Sequence, residues 1–168
     1  MDEKHEPVAQ PVIDGKRFWR TLGERAIGVT VVTAADKNGP AGFLALSAAH
    51  VSADPPTMLV SIDRRTTALA AVIESRHFAV NILGREHEAL SESFGGRSAD
   101  KHGERFIASE WTTLRTGAPI LRAALGAFDC ELEQVIERPG VIVALGRVVD
   151  CFAKGDGNPL IYFRGKYS

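Results

Sequence analysis

Residues 127–153 read AFDCELEQVIERPGVIVALGRVVDCFA. Two runs rich in Val, Ile, Leu and Phe flank a Pro139-Gly140 step. Proline fixes its own φ and glycine tolerates a turn conformation, so the pair marks a chain reversal between strands. The reading is one strand over 127–137 and a second over 141–153, paired as a hairpin that dominates the C-terminal third.

Other strand signals lie on either side of it. His77-Phe78-Ala79-Val80-Asn81-Ile82-Leu83 and Thr57-Met58-Leu59-Val60-Ser61-Ile62 are short apolar runs, the latter opening after Pro55-Pro56. Val29-Thr30-Val31-Val32-Thr33 is β-branched throughout. A turn over 36–40 leads into a further strand over 42–47. The segment 159–167, carrying Tyr162 and Phe163, reads as one last strand. Helical patterns are few. Asp14 is placed to cap a helix whose Phe18, Leu22 and Ala26 form one stripe, broken at Gly28. A second helix over 66–75 carries Leu69, Val72 and Ile73 on one face. A third over 86–94 buries Leu90 and Phe94 and exposes Glu88 and Glu92. A polar loop over 95–103 holds Arg97, Asp100, Lys101 and His102. Roughly six or seven strands with two or three short helices predict a mainly β chain, a β-barrel with helical decoration. No GxGxxG follows the first strand and no βαβ unit repeats, which argues against a Rossmann domain.

Composition narrows the function classes. The 168 residues carry 20 basic and 21 acidic side chains, a net charge of −1, with 45% hydrophobic residues. A nucleic-acid binder would show a basic excess. No apolar run approaches the ~20 residues that span a bilayer, so no membrane contact is expected. Residues 1–13 read as a flexible tail without a signal peptide's apolar core, residues 14–168 as one domain, and the chain as cytoplasmic. Cys130 and Cys151 are too few for a disulfide framework and read as buried reduced thiols. The histidines His5, His50, His77, His87 and His102 show no metal-ligand spacing, and no metal is expected.

Two stretches invite chemistry. In Ser61-Ile62-Asp63-Arg64-Arg65-Thr66-Thr67 a strand ends, arginines follow and hydroxyl residues open a helix. Free N–H groups at a helix start, bidentate arginines and a hydroxyl suit a phosphate. Ordinary capping accounts for the same residues. In residues 42–56, GFLALSAAHVSADPP, small side chains would let a flat ring approach the backbone, or would merely pack beneath a helix. No Ser/His/Asp or Cys/His set offers a nucleophile, and no catalytic side chain is assigned.

Taken together, Gly28–Thr33, the stretch 42–56, Phe78–Leu83 and Pro159-Leu160-Ile161-Tyr162-Phe163-Arg164-Gly165-Lys166-Tyr167 occur in an order and spacing that resembles the flavin reductase family. These are short-chain NAD(P)H:flavin oxidoreductases built on an FMN-binding split barrel. Phe94-Gly95-Gly96, Arg105-Phe106, Trp111 and Phe128-Asp129-Cys130 look most like the pyrimidine-catabolism members, and corrinoid reductases of cobalamin synthesis are relatives.

The resemblance implies FMN or FAD as cofactor and NADH or NADPH as co-substrate. It implies that Leu44, Ala45, Leu46 and Ser47 lie along the isoalloxazine ring, largely through backbone groups. Ser61, Ile62, Asp63, Arg64, Arg65, Thr66 and Thr67 would hold the ribityl chain and phosphate, with Asn81 and His87 approaching the flavin. Tyr162, Arg164 and Tyr167 would lie on the nicotinamide side. It further implies a homodimer with flavin at the subunit interface, and reduced flavin passed to a partner monooxygenase. Other readings of the same resemblance are a cob(II) corrinoid acceptor, an oxidase of the pyridoxamine-phosphate type, or a non-enzymatic flavin-binding redox module. Two departures stand out. Val141 occupies a position where many members carry histidine, and Arg147 follows Gly146 where an acidic residue is common. Both imply a different recognition of the pyridine nucleotide. Leu44 and Leu46 also replace residues that are often polar.

Overall fold

The hairpin forms as its sequence predicts. In the computed structural model, which describes residues 12–97 and 105–168, strands Gly126–Arg138 (β9) and Val141–Ala153 (β10) pair antiparallel and reverse at Pro139-Gly140, with Gly140 at φ 80°. The remaining strands are β1 (Ile27–Gly28), β2 (Thr30–Asp36), β3 (Gly39–Ala45), β4 (Ala49–Ala53), β5 (Pro56–Asp63), β6 (His77–Ile82), β7 (Trp111–Thr113), β8 (Pro119–Leu121), β11 (Ile161–Phe163) and β12 (Lys166–Tyr167). The helices are α1 (Gly15–Leu22), α2 (Ala68–Ser75) and α3 (Glu88–Phe94), the last preceded by a 3-10 turn over Arg85–His87.

Seven strands form one antiparallel sheet in the order β3-β2-β6-β9-β10-β5-β4. The edge strands β3 and β4 are consecutive in the chain and joined only by residues 46–48. Such a link reaches at most ~14 Å at 3.3–3.6 Å per residue. A flat sheet of this width spans about 29 Å, given ~4.8 Å between neighbouring strands. The sheet must therefore curl until its edges meet, giving a split barrel closed by a covalent link where no ladder joins the edges. The Ser47 hydroxyl donates to the Ser61 carbonyl across that split, at 3.3 Å.

The β-branched run in β2 has a physical reason, because its two faces serve different cores. Val32 and Ala34 pack with Val60, Ile62, Val72, Phe78 and Val80 inside the barrel. Val29, just before β2, and Val31 pack with Leu83, Phe94, Trp111 and Leu160 beneath α3. A strand covered on both sides reads as continuously apolar rather than alternating.

Several expectations need correction. The first helix ends at Leu22, capped at Gly23, and buries none of its residues, so the Phe18–Leu22–Ala26 stripe meets no core. The second starts at Ala68, after Thr66 and Thr67, and its inward face is Ala68, Ala71 and Val72, with Ile73 exposed. Leu90 and Glu92 are both half-buried. Residues 49–53, beyond the strand expected over 42–47, form the edge strand β4, whose register breaks between His50 and Ser52. The hairpin β7–β8 was not anticipated. The C-terminal strand is a hairpin too, because Arg164 (φ 48°) and Gly165 (φ 80°) take the left-handed pair that makes a tight turn. Cys130 is buried, its thiol pushed up to about 12 by desolvation, whereas Cys151 is exposed. The expected tail lies outside the described residues except for the exposed Val12 and Ile13, and Asp100, Lys101 and His102 lie outside them as well. Among the described residues no helix is long and apolar enough to cross a membrane.

A Cβ at Gly146 would stand 2.5 Å from the Phe78 ring and 2.9 Å from the Cys130 Cβ. Overpacking of this kind costs roughly 1–3 kcal/mol. Gly146→Ala is expected to lower the unfolding free energy by that amount, read as a fall in the urea midpoint at unchanged slope, and an unchanged midpoint would show that β10 does not press on Phe78.

Candidate functional site

The split in the barrel opens onto a groove of about 770 Å³. One wall is the end of β3 and the link beyond it, through Leu44, Leu46 and Ser47, continued by Ala49 and Leu59. The other is the tip of the C-terminal hairpin, through Tyr162, Arg164 and Gly165, with Trp19 and Leu22 of α1. The groove thus brings the small-residue stretch and the C-terminal motif together, although more than a hundred residues separate them in sequence. Ala45 does not join them, because its side chain points into the barrel core.

The C-terminal wall is braced from both sides. The Arg164 guanidinium donates from Nε to both Glu24 carboxylate oxygens at 3.1 and 3.2 Å and lies 4.9 Å from the centroid of the Phe163 ring. The Arg164 amide also donates to the Gly23 carbonyl, tying the hairpin tip to the end of α1. Hydrogen bonding to Arg164 holds the Glu24 carboxyl below the usual range. On the other side Tyr162 packs edge-on against Tyr167 at 5.2 Å. The Ser91 hydroxyl donates to the Tyr167 phenol oxygen at 2.8 Å, and burial raises the Tyr167 pKa. The Arg97 guanidinium sits 5.9 Å from the Tyr162 ring and pairs with Glu92 at 2.9 Å.

The segment 61–67 does not line this groove but runs on from it along β5. Ser61 and Asp63 share the outward face with Leu59, while the Ile62 side chain is wholly buried in the barrel core. The turn that follows is organised by Asp63, whose carboxylate accepts from the Arg65 amide at 2.9 Å and from its guanidinium at 2.7 and 3.0 Å. That pairing draws the Asp63 pKa down to about 2. Arg64 pairs with Glu137 at 3.0 Å, and its amide donates to the Gly140 carbonyl. The turn is therefore fixed against the β9–β10 hairpin. Thr67 takes the N-cap position of α2.

Asn81 requires a correction. Its side chain is fully buried, its amide nitrogen donates towards the Val31 carbonyl, the Thr33 hydroxyl and the Pro119 carbonyl, and its oxygen accepts from the Leu121 amide at 2.8 Å. It ties β2, β6 and β8 together and does not border the groove. His87 is half-buried in the 3-10 turn, its Nδ1 accepting from the Gly84 amide at 3.2 Å, and does not line the groove either. Val141 stands across from Asp63 and Arg138, beside the turn, and Arg147 pairs with Glu131 and, at 3.2 Å, with Glu133.

Known proteins bear on this geometry. Residues 22–168 match the family described as flavin reductase like domain. The chain therefore belongs to the flavin reductase family, and it is an oxidoreductase that uses NAD(P)H and a flavin, FMN or FAD. Within that family it is 37% identical over 168 residues to the FMN reductase (NADH) RutF of Ancylobacter novellus, covering 99% of this chain and 92% of that one. It is 36% identical over 161 residues to HsaB, the reductase subunit of a flavin-dependent monooxygenase in Rhodococcus jostii RHA1, covering 96% and 80%. BorF, the flavin reductase component of a bacterial two-component tryptophan halogenase, superimposes with a TM-score of 0.85 at 26% identity, over 92% of this chain and 97% of that one.

Sequence reasoning missed Trp19, Leu22, Arg25, Ile27 and Leu59 as groove residues. No local motif marks them, since they meet only when α1 folds back against the barrel mouth. At the turn, the low Asp63 pKa depends first on its hydrogen bonds from Arg65. Arg65→Ala is expected to return the Asp63 carboxyl towards its ordinary 3.8, so that it protonates at higher pH than in the native protein. Carboxyl-detected NMR titration reads this directly, and an Asp63 that still titrates near 2 would contradict the assignment.

Proposed function

We propose that the groove is where a flavin and a nicotinamide dinucleotide meet, and that the protein reduces flavin with NADH for a partner oxygenase. The observation that carries this is the apposition, across one groove, of Leu44, Leu46 and Ser47 with Tyr162 and Arg164. The volume falls within the range of roughly 300–1,000 Å³ usual for cofactor sites, and most of its lining is apolar with a few polar groups, as a flat ring requires. The fit extends beyond the ring. Ser47 reaches Ser61, and β5 then leads to the Asp63–Thr67 turn, whose arginines form exposed ion pairs that are weak enough to exchange for a phosphate.

A flavin bound there would supply the electron chemistry, taking up two electrons from the nicotinamide for transfer to an acceptor. The chain's part is positioning. Leu44, Leu46 and Leu59 exclude water from one side of the ring, and the Ser47 backbone lies where ring heteroatoms need partners. Tyr162, held by Tyr167 and Arg97, and Arg164, held by Glu24, form the wall on which the nicotinamide rests. Neither a nucleophile nor a proton donor is needed for hydride transfer, consistent with the absence of a catalytic set among the groove residues. The preference for NADH follows the RutF relative, and the monooxygenase or halogenase partner follows HsaB and BorF. A cytoplasmic location suits a chain whose Cys130 and Cys151 are both free thiols.

The same reading makes the protein a homodimer and residues 14–168 its catalytic domain. The outward face of the sheet presents Leu59, Val143 and Leu145, flanked by Ile136 at 42% and Val51 at 49% exposure. An apolar patch of this kind beside Ser61 is suited to a second copy that covers the flavin. Purified protein is expected to oxidise NADH in the presence of FMN, and a protein that neither turns over nor binds added flavin would overturn the proposal. Val143→Arg is expected to halve the mass seen by sedimentation velocity and to weaken flavin binding with it; a dimer that persists would remove this face from the account.

A further inference from the structure

Resting on the reading above, we propose that Arg25 is the anion handle of the groove, taking a phosphate of the nicotinamide dinucleotide. Two arginines line the groove, and they are not equivalent. Arg164 is neutralised by the Glu24 carboxylate. Its neighbour Arg25 is exposed, and among the described residues its guanidinium forms no ion pair and no side-chain hydrogen bond, while its amide donates to the Leu22 carbonyl. The carboxylate nearest in sequence, Glu24, is already engaged by Arg164.

The other arginines near the proposed site are similarly committed: Arg64 to Glu137, Arg65 to Asp63, Arg97 to Glu92, and Arg147 to Glu131 and Glu133. A cation without a carboxylate partner among the described residues, at the mouth of a mostly apolar groove, calls for a ligand that combines a flat ring with an anion. The flavin phosphate is assigned to the turn at the far end of β5, which leaves Arg25 for the second ligand. Arg25 stands on the α1 side, with Trp19 and Leu22, next to the hairpin wall assigned to the nicotinamide. It would supply nucleotide recognition in a chain that has Val141 in place of a histidine and whose Arg147 is held by two carboxylates.

A dinucleotide offers that cation either its pyrophosphate, common to NAD and NADP, or the 2′-phosphate of NADP alone, and the test separates them. Flavin-loaded native protein, Arg25→Gln and Arg25→Lys are titrated calorimetrically with NAD+ and with NADP+, which bind without turnover. Loss of a charge-assisted contact is expected to weaken binding about tenfold in Arg25→Gln, with partial recovery in Arg25→Lys and unchanged affinity for FMN. Weakening of both dinucleotides supports the inference and assigns the pyrophosphate. Weakening of NADP+ alone supports it and assigns the 2′-phosphate. Binding of both dinucleotides unchanged in Arg25→Gln, or weakened only in step with FMN, overturns it while leaving the reductase standing. Native protein that binds flavin but neither dinucleotide overturns both.

Discussion

The constraint on which the rest depends is the short link between β3 and β4. Strands adjacent in the chain stand at opposite edges of a seven-stranded sheet, and residues 46–48 must bridge them. Curling the sheet is the only way to satisfy that link. It leaves a seam without a ladder, where backbone groups of 46–48 remain available to a ligand instead of a neighbouring strand. The groove is thus a consequence of how the barrel closes. The outward face of β5, with Leu59 and Ser61, runs from that seam to the Asp63–Thr67 turn.

A second level of order is electrostatic. Most arginines around the barrel mouth are paired, but the pairs are exposed and individually weak. Their role is geometric. Asp63 shapes the turn through Arg65, Glu137 tethers Arg64 to the hairpin that dominates the sheet, and Glu24 holds the Arg164 guanidinium against the end of α1. Against this background Arg25, which pairs with no carboxylate among the described residues, is informative inside the groove, as such an arginine elsewhere on the surface would not be.

The large elements were legible because their signals are local. The 127–153 hairpin announces itself through apolar runs around Pro139-Gly140, and the β-branched 29–33 run through its two-sided burial. Strand β4 was not legible: Ala49, His50 and Ser52 carry little strand propensity, and pairing with β5 decides their conformation. Reading 159–167 as one strand failed for a related reason, since only the left-handed backbone at Arg164 reveals the turn. Of the residues that line the groove, Leu44, Leu46, Ser47, Tyr162 and Arg164 belong to the stretches that carry the family resemblance. Asn81 was misassigned because a polar residue in an apolar strand looks the same whether it faces a ligand or, as here, ties three strands together. Trp19 lies on a helix that buries nothing and Arg25 in the turn just after it, so no hydrophobic pattern linked them to the groove.

The central claim is that the seam of the barrel holds the reacting rings. A crystal structure of the protein grown with FMN and NAD+ tests it most directly. The account predicts ring density between Leu46 and Tyr162, with phosphate density at the Asp63–Thr67 turn. Flavin density in another hollow, such as the one beside His50, Met58 and Phe128, with this groove empty, would contradict it.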